Sequence, residues 1–167
     1  MIRNLWTSGF RAYIANAMKT IVAALDFSNA TPLVLHAAVE YARAFGASLQ
    51  LLHVVEPEPS YTAYGFTPDE FPAIHMFQEE ARKRAGARLE ELRVQVVGQV
   101  PNVSAHLVEG SPLHTLVDHL KKQQADLVIL GSHGHGAVAA LLLGSVAEGM
   151  VRKALLPTLV IPAPGKP

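Results

Sequence analysis

The chain of 167 residues has no cysteine, which excludes disulfide staples, zinc–thiolate sites and thiol catalysis. That absence suits a reducing cytoplasm without requiring one. Net charge is missing too, because 14 Lys and Arg balance 14 Asp and Glu. A protein that holds nucleic acid through bulk electrostatics carries a basic excess. The densest basic cluster here, Arg82-Lys83-Arg84, has the form of a solvated helix face. Long apolar runs are lacking as well. The longest, residues 137–143, is far too short to span a bilayer. What remains is a chain with 50% hydrophobic and 17% charged residues, a composition that builds one core and one domain rather than a disordered segment.

Residues 1–17 stand apart. They carry Arg3 and Arg11, no acid and no uninterrupted apolar stretch, so a secretory signal is not indicated. They read as an N-terminal extension, either a poorly ordered arm or a stretch upstream of a natural start at Met18. Residues 18–167 read as a single domain.

From Met18 onward short apolar runs alternate with helical periodicity. Residues 20–25 form a continuous apolar run, the pattern of a strand buried on both faces, with Asp26 at its C-terminal end. Thr31-Pro32 has the form of an N-cap and first helical position, a stripe from Leu35 to Phe45 follows, and Gly46 supplies a stop. Residues 49–55 form a second strand. Residues 56–66 form a loop broken by Pro57, Pro59 and Gly65. Thr67-Pro68-Asp69-Glu70 has the form of a capping box for a long helix with Ile74, Phe77, Ala81, Ala85, Leu89, Leu92 and Val96 on one face. Alternation across residues 103–108 predicts a half-exposed edge strand. Ser111-Pro112 opens a helix with Leu113, Leu116, Val117 and Leu120, and residues 126–130 form another buried strand. A last helix carries Ala147, Met150, Val151, Ala154 and Leu155, and prolines at 157 and 162 bracket a short edge strand. This order predicts an α/β fold with a five-stranded, parallel, doubly wound sheet and helices on both faces. Ligands of such sheets bind beyond the C-terminal strand ends.

One of those ends is unusual. The run Asp126-Leu127-Val128-Ile129-Leu130 feeds Gly131-Ser132-His133-Gly134, and nine residues later Gly144-Ser145 opens a helix. Glycines there permit close ligand approach or positive φ, and a helix start leaves backbone N–H groups without intrahelical partners. One helix N-terminus offers an anion about 0.3–2 kcal/mol. Useful affinity needs several charge-assisted hydrogen bonds at about 1.5–3 kcal/mol each, so the whole loop must act together. The loop is neither a Walker A sequence, lacking Gly-Lys-Ser/Thr, nor a dinucleotide fingerprint, because it follows the fourth strand.

The pattern Gly-x2-Gly-x9-Gly-Ser resembles the ATP-binding branch of the universal stress protein family. A first strand ending in Asp26 and a second reading Leu51-Leu52-His53-Val54 extend the resemblance across residues 18–162. It implies strand order 3-2-1-4-5, often a homodimer paired through the last strand, and ATP as ligand, with or without Mg²⁺. By position it implies that Asp26 lies near base and ribose, with Ala24 and Leu25 lining the pocket and Val54 meeting the adenine edge through its backbone. Leu130 and Gly131 would flank the ribose, while Gly134, Gly144, Ser145 and Val146 would hold the phosphates. Two departures, Ala147 after Val146 and His135 where Arg or Lys is frequent, imply a weaker phosphate grip.

Other chemistries find less support. A phospho-acceptor role for Asp26 lacks an adjacent acid and a Lys at the end of the fifth strand, Lys166 lying beyond Pro162. The eight histidines show no metal-ligand spacing: His133 and His135 are two apart, His114 and His119 five. His36, His53, His75 and His106 read as packing or surface residues. No Lys or Arg stands in the glycine loop to stabilise charge at a γ-phosphate, so any ATPase activity would be slow and no catalytic residue is named. The sequence therefore points to a cytoplasmic ATP-binding regulatory protein of the stress response, homodimeric, acting on a protein partner, without nucleic acid or membrane. The alternatives are a weak ATPase and a dimeric interaction protein that binds no nucleotide.

Overall fold

Ile21, Val22 and Ala23 are fully buried, the environment of a strand hydrogen-bonded on both sides and covered on both faces. The structure, a computed structural model, describes residues 18–56, 72–134 and 143–163, with backbone alone at 72–75. The elements run β1 (Thr20–Ala24), α1 (Thr31–Phe45), β2 (Ser48–Val55), α2 (Pro72–Val96), β3 (Val103–Glu109), α3 (Pro112–Lys122), β4 (Leu127–Gly131), α4 (Ser145–Lys153) and β5 (Thr158–Ile161). All strand pairs are parallel, in the order β3-β2-β1-β4-β5. The predicted α/β architecture and strand order are therefore those observed.

Side chains alternate across the sheet, and the alternation sorts the core into two layers. Ile21, Ala23, Leu49, Leu51, Leu127 and Ile129 pack with Val34, Ala38 and Ala42 of α1 and Leu89, Leu92 and Val96 of α2. Val22, Leu52, Val128 and Leu130 pack on the opposite face with Leu116, Val117 and Leu120 of α3 and Ala147 and Met150 of α4. At the N-terminal end of the sheet the Asp126 carboxylate accepts the N–H groups of Lys19 at 2.7 Å and Thr20 at 2.9 Å. This clamps β1 to β4 at the end opposite the C-terminal strand ends.

Several local expectations need correction. Thr31 does not cap α1: the N-cap is Ala30, and the buried Thr31 hydroxyl has no hydrogen-bond partner. Ser28 holds the turn instead, its carbonyl accepting the Thr31 N–H at 3.1 Å and its hydroxyl the Ala30 N–H at 3.3 Å. Gly46 does end α1, with φ 64°. Phe77, expected in the buried stripe of α2, is 59% exposed beside Met76 at 71%, because the buried contacts of α2 begin only at Leu89. In α4 only Ala147 and Met150 are buried, and Val151 and Leu155 face solvent. The helix stops at Ala154, in the left-handed region at φ 45°. β3 is an edge strand as expected, but its residues from Val103 to Val108 are all half-buried rather than alternating, since His106 lies against α3. The extension 1–17, the loop and capping box between 57 and 70, His135, Gly136, Lys166 and the side chains of Ile74 and His75 lie outside the described residues.

Candidate functional site

The chain crosses from one half of the sheet to the other around β1, whose neighbours are β2 and β4. Such a reversal of strand order is the point at which α/β sheets form a ligand crevice beyond the C-terminal strand ends. β1 leaves the sheet early. Its register with β2 ends at Ala24 opposite Leu52, followed by one more bond from the Leu25 N–H to the Leu52 carbonyl at 2.8 Å. β2 continues to Val55, paired with β3.

Backbone parity then decides which way the end of β2 points. The Ser48 N–H bonds to Lys19 of β1's approach, and the Leu49 N–H bonds to Asn102 before β3. Even-numbered residues of β2 therefore address β1 and odd-numbered ones β3, a pattern that the Gly110 N–H on Val55 O at 3.0 Å completes. Val54 addresses the side that β1 has vacated. Among the described residues neither its N–H nor its C=O forms a hydrogen bond.

The gap is a cavity of about 870 Å³, within the range of small-molecule and cofactor sites. Its wall includes Ala24, Leu25, Asp26, Val54, Leu130, Gly131, Gly134, Gly144, Ser145 and Val146. Every residue that the sequence singled out as a ligand contact thus lies on one surface. The wall also contains His53, Val55, Glu56, Leu116, His133 and Ala147, which the sequence analysis did not place there. Leu116 and Ala147 are core residues, as their helical stripes predict, and they also form part of the cavity floor.

Asp26 faces the glycine loop. Its Oδ1 accepts the Ser28 N–H at 3.0 Å, and its Oδ2 lies 2.8 Å from where a Cβ on Gly134 would stand. Close approach, rather than positive φ, is what glycine supplies here. Neither Gly131 nor Gly134 has positive φ, while a Cβ on Gly131 would sit 3.2 Å from Ala30 Cβ and 3.3 Å from the His133 carbonyl. The loop's amides are not all available. The Gly144 N–H donates to the Ser132 carbonyl at 2.8 Å, and the Ser132 N–H to Ile161 at 2.7 Å. The first-turn amides of α4 at Ser145, Val146 and Ala147 have no intrahelical acceptor, and among the described residues none finds another. Ser145 makes no side-chain cap. The wall includes two carboxylates, Asp26 and Glu56, and among the described residues no Lys or Arg.

The model of the universal stress protein family matches residues 18–162. The chain belongs to the universal stress protein family. It is 33% identical over 145 residues to the universal stress protein in the QAH/OAS sulfhydrylase 3′ region of Thermus aquaticus, covering 86% of this chain and 98% of that one. Among solved structures, the universal stress protein UspA from Lactobacillus plantarum superposes with a TM-score of 0.75 at 25% identity, covering 86% of this chain and 97% of that chain. The universal stress protein from Archaeoglobus fulgidus, solved in complex with dAMP, superposes with a TM-score of 0.58 at 23% identity, covering 86% and 97%. Among the described residues no helix is long and apolar enough to cross a membrane.

A second polar cluster lies apart from the cavity. The His106 and His119 rings are 5.0 Å apart between β3 and α3. His119 Nε2 donates to Gln50 Oε1 at 2.9 Å, and the Gln50 amide donates to Gln123 at 3.3 Å. Ser104 Oγ lies 2.9 Å from His106 Nε2. Burial lowers the pKa of both histidines, and the neighbouring His106 and Lys122 lower that of His119 further.

Proposed function

We propose that the protein is an adenine-nucleotide-binding stress-response module, with ATP as its ligand and little or no turnover. The observation that carries this reading is the shared wall: the vacated backbone edge at Val54, the Asp26 carboxylate and the first-turn amides of α4 all border one cavity. Each suits a different part of a nucleotide. A donor–acceptor backbone edge suits a base, a carboxylate accepts from ribose hydroxyls, and helix-start amides with the Ser145 hydroxyl suit phosphate oxygens. The complex of the Archaeoglobus fulgidus relative with dAMP supports the same class of ligand.

Binding without turnover fits the charge of the wall. Phosphoryl transfer needs cationic stabilisation at the γ-phosphate, and the described wall offers carboxylates instead. Mg²⁺ bound with the nucleotide would offset that repulsion. The cytoplasmic setting, a homodimer through the edge strand β5 and an unidentified protein partner complete the proposal. β5 lies at the sheet margin and is half-buried along its length, so a second copy could extend the sheet there. Isothermal titration with ATP, ADP and AMP, with and without Mg²⁺, tests the core claim. Saturable heat is expected, and its absence at millimolar nucleotide refutes it. Phosphate release above background that disappears in Gly134→Val would replace the non-turnover reading with a weak ATPase.

A further inference from the structure

One side-chain contact stands where the β1–β2 ladder stops short of Val54. Continuing the β1–β2 ladder by one step would place the Val54 N–H on the Leu25 carbonyl. That carbonyl instead accepts from His53 Nδ1 at 2.7 Å. Because a carbonyl only accepts, the contact fixes the hydrogen on Nδ1. The ring is held from the other side by Phe27, with centroids 4.1 Å apart. Phe27 itself stands at φ 61°, a left-handed conformation rare for a bulky side chain and one that a tight turn imposes. The turn carries β1 out of the sheet immediately after Asp26, and His53 ties down its last carbonyl.

We propose that His53 is a positioning residue for ligand recognition: by occupying the Leu25 carbonyl it ends the β1–β2 ladder one bond early and presents the Val54 N–H and C=O to the cavity. Such an edge is complementary to a heterocycle with an amino group beside a ring nitrogen, as in adenine. The base-recognition half rests on the nucleotide reading above, whereas the ladder half stands without it. An imidazole one residue before the reading position thus acts on base selection through the Leu25 carbonyl.

The test compares wild type, His53→Phe and His53→Asn. Phe keeps the ring over Phe27 but cannot donate; Asn carries an amide nitrogen close to the place of Nδ1. In unliganded wild type, amide hydrogen exchange should be fast at Val54 and slow at Leu52. In His53→Phe the released Leu25 carbonyl should capture the Val54 N–H and slow its exchange by about tenfold or more, while His53→Asn should stay fast. Titration with AMP and with inosine monophosphate, which lacks the amino group, should show a preference for AMP of about tenfold in wild type. The preference should collapse in His53→Phe and return in His53→Asn. A Val54 amide as protected as Leu52 in wild type overturns the proposal, as does His53→Phe with unchanged Val54 exchange or an unchanged nucleotide preference. If wild type binds neither nucleotide, the proposed function fails together with the base-recognition half, and the exchange comparison still decides whether His53 splits the ladder.

Discussion

Gly134→Ala probes the contact that joins the two halves of the site. A Cβ built there lies 2.8 Å from Asp26 Oδ2, whereas ordinary contact begins near 3.4 Å, so the oxygen must give way, by 0.6 Å if ordinary contact is to be restored. The retreat is constrained because the same carboxylate holds the Ser28 N–H through Oδ1 at 3.0 Å. Turning the group off its rotamer costs about 0.5–1.5 kcal/mol, and losing the bond to a charged acceptor costs about 1.5–3 kcal/mol. Replacing glycine itself returns about 0.4–1 kcal/mol through the unfolded chain where φ is compatible, as it is here, since Gly134 has no positive φ. The net expectation is a loss of about 1–4 kcal/mol in stability.

A double-mutant cycle isolates the cause. In an Asp26→Ala background the obstructing oxygen is gone, and Gly134→Ala should be neutral or slightly stabilising. Urea unfolding at constant m-value measures all four species, and the coupling energy should match the cost of displacing the carboxylate, about 2–4 kcal/mol. ATP titration of Gly134→Ala in the Asp26 background should show weakened binding, because the displaced carboxylate is part of the cavity wall. Equal destabilisation in both backgrounds refutes the reasoning: the cost would then come from the backbone of the loop and not from Asp26.

Ala154 ends α4 at φ 45° and ψ 39°, a conformation that costs an L-residue about 1–2 kcal/mol; Ala154→Gly should raise the urea midpoint by an amount equivalent to about 0.5–1 kcal/mol after the entropy of the unfolded glycine is counted. Asp126→Ala removes the acceptor of two N–H groups at the start of β1 and should cost about 1–3 kcal/mol in the same assay, without changing nucleotide affinity, since the clamp lies at the opposite end of the sheet. His106 and His119 have pKa values lowered by burial, so on acidification the unfolded chain takes up protons before the folded one does. Their contribution is complete above pH ~6.5, the ordinary histidine value, and is lost as pH falls through the lowered folded values. The urea midpoint should therefore fall between pH 7.5 and 5.5, and less steeply in His119→Gln, which can still donate to Gln50; parallel slopes would show that the pair does not titrate on unfolding.

The strands were legible because parallel sheets bury both faces, and a continuous apolar run such as Ile-Val-Ala-Ala-Leu after Thr20 has few other uses in a chain of this composition. The glycine loop was legible for a related reason: close approach needs a missing side chain, and Gly131 and Gly134 are spaced so that one meets Ala30 and the other Asp26. What stayed hidden were the contacts made by polar side chains across the fold. Nothing near His53 in the chain announces the Leu25 carbonyl, 28 residues away, and His119 meets Gln50 across 69 residues. A signal for the second was nonetheless present. Gln50 interrupts Ser-Leu-Gln-Leu-Leu, and a polar group inside a buried strand must find a partner or lose about 1–3 kcal/mol, so some helix covering that strand had to supply one.

The exposed Phe77 and the unsatisfied Thr31 hydroxyl err in the opposite direction. In both, local periodicity or capping chemistry favoured a role that the packing of distant elements did not support. Backbone edges are harder still. Val54 is an ordinary valine in an ordinary strand, and its N–H and C=O become available only because β1 turns away after Asp26 while β2 runs on for three more residues beyond Leu52. The open edge of the cavity therefore resides in a mismatch of strand lengths, beside which the Phe27 and His53 rings pack and His53 holds the Leu25 carbonyl. A protein of this fold with matched β1 and β2 ends would pair Val54 into the ladder and keep the glycine loop, yet lose the open backbone edge on the cavity.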